Sequence, residues 1–284
     1  MENRNSSLGI VKEKGKQIEK SAGPWITVLA RFGYAAKGVV YIIIGAIAAY
    51  TAFRGGGKTT DSRGALEEII LQPYGNYLLG AVAIGLAGYA LWRFVQALKD
   101  TEDKGSGVKG IAVRIGYAVI GVIYAGLAFS AVQIILGSGG NSKGDSTSKE
   151  WTATLLSQPF GQWLVGLAGL GFIAAALSNF YKAYTVKFRK KLMMDEMSEG
   201  VQTFAIRTGR FGLAARGVVF GLIGAFLIQA ALHSNAGEAR GLSGALAALG
   251  EHTYGQILLG AVALGLVAYG FYMLVLSRYR RIIL

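Results

Sequence analysis

Three stretches of this chain repeat one another, and each is a pair of apolar runs of membrane-crossing length. The first opens Arg31-Phe32-Gly33-Tyr34-Ala35 and later reads Pro73-Tyr74-Gly75-Asn76-Tyr77-Leu78-Leu79-Gly80. The second opens Arg114-Ile115-Gly116-Tyr117-Ala118 and later reads Pro159-Phe160-Gly161-Gln162-Trp163-Leu164-Val165-Gly166. The third opens Arg210-Phe211-Gly212-Leu213-Ala214 and later reads Thr253-Tyr254-Gly255-Gln256-Ile257-Leu258-Leu259-Gly260. A matched start and a matched middle, recurring three times in order, make the repeat the unit of architecture.

Residues 38–53, 74–92, 115–137, 160–180, 217–232 and 254–276 contain no charged side chain. A helix needs about 20 residues to cross the hydrocarbon layer, and only helices or closed barrels satisfy their backbone in lipid. Long-range alternation of the barrel kind is absent. The expectation is an all-α integral membrane protein with six spans, near 29–53, 74–98, 111–136, 160–184, 205–232 and 254–278. The units are a basic arm over 1–24 and two-helix repeats over 25–100, 111–185 and 205–280. With two spans per repeat, all three repeats face the same way, so they relate by a pseudo-threefold axis along the membrane normal rather than by inversion.

Lys and Arg in the connections set the orientation. The amino-terminal arm, the second-to-third and fourth-to-fifth connections and the carboxyl-terminal tail together carry 17, against 6 on the other side. Both termini are therefore expected in the cytoplasm. The net charge of +13 reads as this bias plus attraction to anionic lipid, not as nucleic-acid binding. The chain has no cysteine, which excludes disulfides, thiolate metal sites and a cysteine nucleophile.

Each outer connection should hold a short helix, capped by Asp61 or Ser62, by Ser148 and by Ser243, lying with its apolar side against the membrane. The inner segment 186–201, rich in Lys and Met, reads as an amphipathic helix. The 42 glycines recur every fifth position in the even spans and thin the helices for close packing. Leucine at Gly80, Gly166 or Gly260 is accordingly expected to overpack.

The Arg-Phe-Gly-Tyr-Ala openings and the Pro-Tyr-Gly-Asn-Tyr-Leu-Leu-Gly segment resemble a family of bacterial membrane proteins catalogued as domain of unknown function 1206. The resemblance covers residues 25 to 280, departing in the third repeat at Leu213 and Thr253. It implies six spans and a bacterial inner-membrane address, and it supplies no catalytic residue to transfer.

Arg31, Arg114 and Arg210 begin the odd spans, with Lys37 and Arg216 deeper in the first and third. Together they form a candidate site for an anion or a lipid headgroup, unless they simply snorkel to the interface. Arg93 has the same two readings. Asn76, Gln162 and Gln256 could line an outer vestibule. Tyr50, Gln133 and Gln229 occupy one matched depth, and Tyr41, Tyr124 and Phe220 another. No Asp or Glu lies inside a span, which argues against a proton relay. His233 and His252 make half a metal site at most. No catalytic set, metal site or cofactor motif is visible.

These features favour a non-enzymatic structural, accessory or lipid-interacting component of the bacterial inner membrane. A passive channel or carrier for a small solute or anion is the alternative, and a membrane enzyme comes third. The expected partners are anionic lipids, with a membrane-protein partner or a second copy also open, and no nucleic acid. The three helices around the axis should close tightly, leaving space only at the two ends.

Overall fold

A computed structural model describes residues 24–54, 58–99, 101, 105, 107–138, 144–251 and 254–281. Six helices among them are long and apolar enough to cross a membrane. They are α1 (Pro24–Arg54), α3 (Gly75–Lys99), α4 (Val108–Ile135), α6 (Gly161–Thr185), α7 (Glu199–Leu232) and α9 (Gly255–Tyr279). Three short helices, α2 (Ser62–Ile70), α5 (Gly144–Leu156) and α8 (Leu242–Gly250), connect the two members of each pair. The protein is thus an all-helical, multi-pass membrane protein. The expected basic arm lies outside the described residues except at Pro24, whose fixed φ suits the first helical position.

Packing among the spans runs in a broken ring. α1 lies on α3, α3 on α4, α6 on α7, α7 on α9, and α9 closes back on α1. Among the described residues, α4 and α6 share no comparable interface. The second repeat therefore departs from the expected pairing, and the glycines show why.

Within the first repeat, a Cβ on Gly33 would lie 2.7 Å from the backbone nitrogen of Tyr89, and one on Gly85 2.5 Å from the Ala36 Cβ. The third repeat matches this, with Gly212 at 2.5 Å from the Tyr269 Cα and Gly265 at 2.3 Å from the Ala215 Cβ. The equivalent glycines of the second repeat, Gly116 and Gly171, have nothing within 4 Å of an added Cβ. Small residues are present there, but no partner helix fills them. Between repeats the contacts recur three times. A Cβ on Gly121 or Gly217 would meet the Phe94 or Phe180 ring at 3.0 and 2.8 Å, and one on Gly38 the Gly270 carbonyl oxygen at 2.8 Å and the Leu274 side chain at 3.0 Å.

Of the three positions expected to overpack with leucine, Gly80 faces open space, while Gly166 and Gly260 have room for a Cβ. An added Cβ meets nothing within 4 Å at Gly80 and makes ordinary contact at 3.7–3.8 Å at the other two. Five-residue spacing advances a helix by about 140°, so only some of these glycines can face a neighbour.

The short helices cap the end of the bundle away from the termini. Asp61 caps α2 as expected, accepting from the backbone N–H of Arg63 at 3.1 Å and Gly64 at 2.9 Å. Ser148 and Ser243 instead lie inside their helices, which begin at Gly144 and Leu242. Leu66 and Leu246 are fully buried, so α2 and α8 pack their apolar side onto the spans. Each short helix presses its last carbonyls on the glycine that opens the next span. A Cβ on Gly75, Gly161 or Gly255 would come within 2.2–2.4 Å of a carbonyl oxygen, which requires glycine there.

The segment expected as an amphipathic helix forms two 3-10 turns, Lys187–Lys191 and Met194–Glu196. Leu192 pairs with Arg280 in an antiparallel bridge, and Met193 N–H donates to the Tyr279 carbonyl at 2.9 Å. Phe188 is buried against Gly209 and Tyr272. This apolar anchor and backbone pairing hold the segment on the bundle instead of leaving it a free amphipathic helix.

Candidate cation and tyrosine cage

Lys37 follows Arg31 by six residues, and Arg216 follows Arg210 by the same step. At about 1.5 Å per residue, both lie roughly 9 Å deeper than the arginines that precede them on the same helices. Lys37 is only 4% exposed. Its ammonium lies over four tyrosine rings, 4.8 Å from Tyr89, 4.9 Å from Tyr124 and 5.8 Å from both Tyr41 and Tyr269. It also donates to the Tyr89 hydroxyl at 3.1 Å.

The Arg216 guanidinium lies over two of the same rings, Tyr41 at 5.6 Å and Tyr269 at 4.5 Å, and over Phe220 at 4.6 Å. It donates to the Tyr269 hydroxyl at 2.7 Å. A third cation arrives from α3. Arg93 stacks 4.8 Å from the Tyr89 ring, donates to the Tyr89 hydroxyl and donates to Gln96 Oε1 at 2.9 Å. Three cations from three helices thus share one aromatic cage.

The cage has partial symmetry. Lys37–Tyr89 in the first repeat and Arg216–Tyr269 in the third are the same pair at the same position. The second repeat carries Ile120 and Ala175 there. The repeat without the polar link is also the one whose helices share no comparable interface among the described residues. It contributes Tyr124, whose ring meets Tyr89 at 4.6 Å.

Apart from Glu199 at the first position of α7, no span holds a carboxylate to balance the three charges. A ring face attracts a cation by about 0.5–2 kcal/mol, which offsets part of the cost of leaving water. Neutral rings do not cancel the mutual repulsion of three cations. Among the described residues, no acceptor meets the buried Nε of Arg93 or of Arg216. A bound anion would supply both the missing charge and the missing acceptors.

The remaining residues singled out in the sequence lie elsewhere. Arg31 and Arg210 are exposed at the end that carries the termini. Arg114 donates to the carbonyls of Ala97 at 2.6 Å and Leu98 at 2.9 Å, where a cation satisfies the end of α3. Asn76, Gln162 and Gln256 are all exposed, and Gln162 donates to the Ser234 hydroxyl. Tyr50 and Gln229 are also exposed. His233 contacts the Glu238 carboxylate at 2.9 Å, and His252 lies outside the described residues.

Tyr89 and Tyr269 were not among the sequence candidates. The available signal was their shared place 14 residues after Gly75 and Gly255, in the two repeats that carry a deep cation.

Comparison with known proteins adds a family. The model described as Domain of Unknown Function (DUF1206) matches residues 32–100, 115–186 and 211–280. "Uncharacterized protein YxxB" of Bacillus subtilis (strain 168) is 38% identical over 264 residues, covering 93% of this chain and 94% of that protein. No solved structure matches. Three consecutive matches over most of the chain, one for each helix pair, show that this protein belongs to the DUF1206 family.

Proposed function

We propose that this protein is a non-enzymatic component of the bacterial inner membrane that holds an anionic lipid by its headgroup. The observation that carries this reading is the cage itself, in which Lys37 shares Tyr89 with Arg93 and Tyr269 with Arg216, with no carboxylate in the apolar run of any span. Each tyrosine hydroxyl that accepts from a cation keeps its own hydrogen to donate, so cation and hydroxyl together suit a phosphodiester.

Depth supports a lipid. Arg216 precedes Leu232 by 16 residues, Lys37 precedes Arg54 by 17, and Arg93 follows Gly75 by 18. These steps put the cage about 24–27 Å from the capped end, within the leaflet on the terminal side and near its surface. With both termini in the cytoplasm, as the charge bias implies, that is the leaflet facing the cytoplasm.

The test is lipid analysis of protein purified from its own membranes. Lys37→Gln with Arg216→Gln should lower co-purified phosphatidylglycerol several-fold relative to phosphatidylethanolamine. Arg31→Gln with Arg210→Gln, at exposed positions, should change that ratio by less than a factor of two. Equal retention in both variants would remove the cage from the reading.

A further inference from the structure

We infer that the unpaired second repeat is a lateral portal, in which a phospholipid acyl chain lies between α4 and α6 with its phosphodiester at the cage. The inference rests on the anionic-lipid reading and adds the route and the pose. Its starting point is the wedge left where one interface of the ring is missing. In the membrane-length windows, 17% of α4 and 22% of α6 is buried, against 56% of α1. Gly116 and Gly171 widen the wedge, since neither would bring a Cβ within 4 Å of another atom.

Both walls of the wedge reach the cage. From α4, Tyr124 lies 4.9 Å from the Lys37 ammonium. From α6, Phe172 packs edge-on against Phe220 at 5.5 Å, and Phe220 carries the Arg216 guanidinium on its ring. The cationic cluster therefore sits at the inner edge of an apolar, membrane-facing cleft. Arg216 is half-buried where Lys37 is closed over, and its buried Nε lacks an acceptor among the described residues.

The chemistry matches one occupant. An apolar cleft ending in cations fits a molecule with an apolar chain and an anionic head. A purely apolar helix would leave the cations unbalanced. A soluble anion would leave the cleft unused.

The first measurement uses the unaltered protein in nanodiscs containing phosphatidylglycerol with a diazirine on one acyl chain. Irradiation should label residues 124–135 and 161–172, which run from the cage toward the capped end, at least five-fold above the other spans. Label spread evenly around the bundle would overturn the portal. The second measurement compares Gly116→Phe and Gly171→Phe with the unaltered protein, because open space at these positions lets a ring enter without displacing a neighbour. Both variants should keep the melting temperature and retain at least five-fold less phosphatidylglycerol by native mass spectrometry.

Full retention in the stable phenylalanine variants, alongside loss in Lys37→Gln with Arg216→Gln, would remove the portal and leave the headgroup reading standing. Retention in all variants would remove both. Soluble glycerol 3-phosphate displacing the lipid at micromolar concentration would make the site one for a free anion and overturn the acyl-chain pose. A disulfide-linked dimer formed by Gly171→Cys would assign the wedge to a second copy instead.

Discussion

At the scale of single residues, the same residue type does different work at matched positions. Gly33 and Gly212 admit the backbone of the partner helix, whereas Gly116 faces open space. Gly33→Leu and Gly212→Leu should therefore each destabilise the protein by about 1–3 kcal/mol through overpacking. Gly116→Leu and Gly80→Leu should stay within about 0.5 kcal/mol of the parent. Thermal melting of the four variants in one detergent checks the ranking, and equal losses at Gly33 and Gly116 would contradict it. Arginine shows the same dependence on place. Arg114 satisfies the last carbonyls of α3, while Arg216 holds the aromatic cage.

At the scale of elements, the six spans follow from length and hydropathy, while their ends extend past the apolar runs. α7 begins at Glu199, earlier than the expected 205, because 199–204 continues the helix beyond the apolar run. Hydropathy measures where lipid would cover a helix, not where hydrogen bonding stops. The orientation of the spans is open to a direct test in a chain without native cysteine. Lys58→Cys, Lys149→Cys and Asn235→Cys, each exposed near the short helices, should react with an impermeant maleimide on intact cells. Lys190→Cys should react only after lysis. The opposite pattern would invert the protein and place the cage in the outer leaflet.

At the scale of the whole molecule, three like repeats produce an unlike set of neighbours. Contacts between repeats recur around the molecule, yet one of the three contacts within repeats is missing. The cage brings the rings of Tyr41, Tyr89, Tyr124 and Tyr269 around one ammonium, and the glycines interlock the helices beside it. Purified protein in liposomes should accordingly pass neither potassium nor chloride above the rate of empty vesicles. Chloride flux that disappears in Lys37→Gln with Arg216→Gln would transfer the reading to an anion channel.

The number of spans, their pairing into repeats and the parallel sense of those repeats were legible in residues 31–35, 114–118 and 210–214 and in the uncharged runs. Periodicity and charge are properties of the chain itself. Arg31, Lys37, Arg114, Arg210 and Arg216 were legible as one matched set, but the sequence held no means of dividing it. Only tertiary structure decided that Lys37 shares one ring with Arg93 and others with Arg216, while Arg31 and Arg210 face outward. The meeting depends on helix rotation and on how closely each glycine lets a neighbour approach. The open second repeat is the sharpest case. Its glycines match those of its neighbours, and only the absence of a partner against Gly116 and Gly171 separates a packed interface from a cleft.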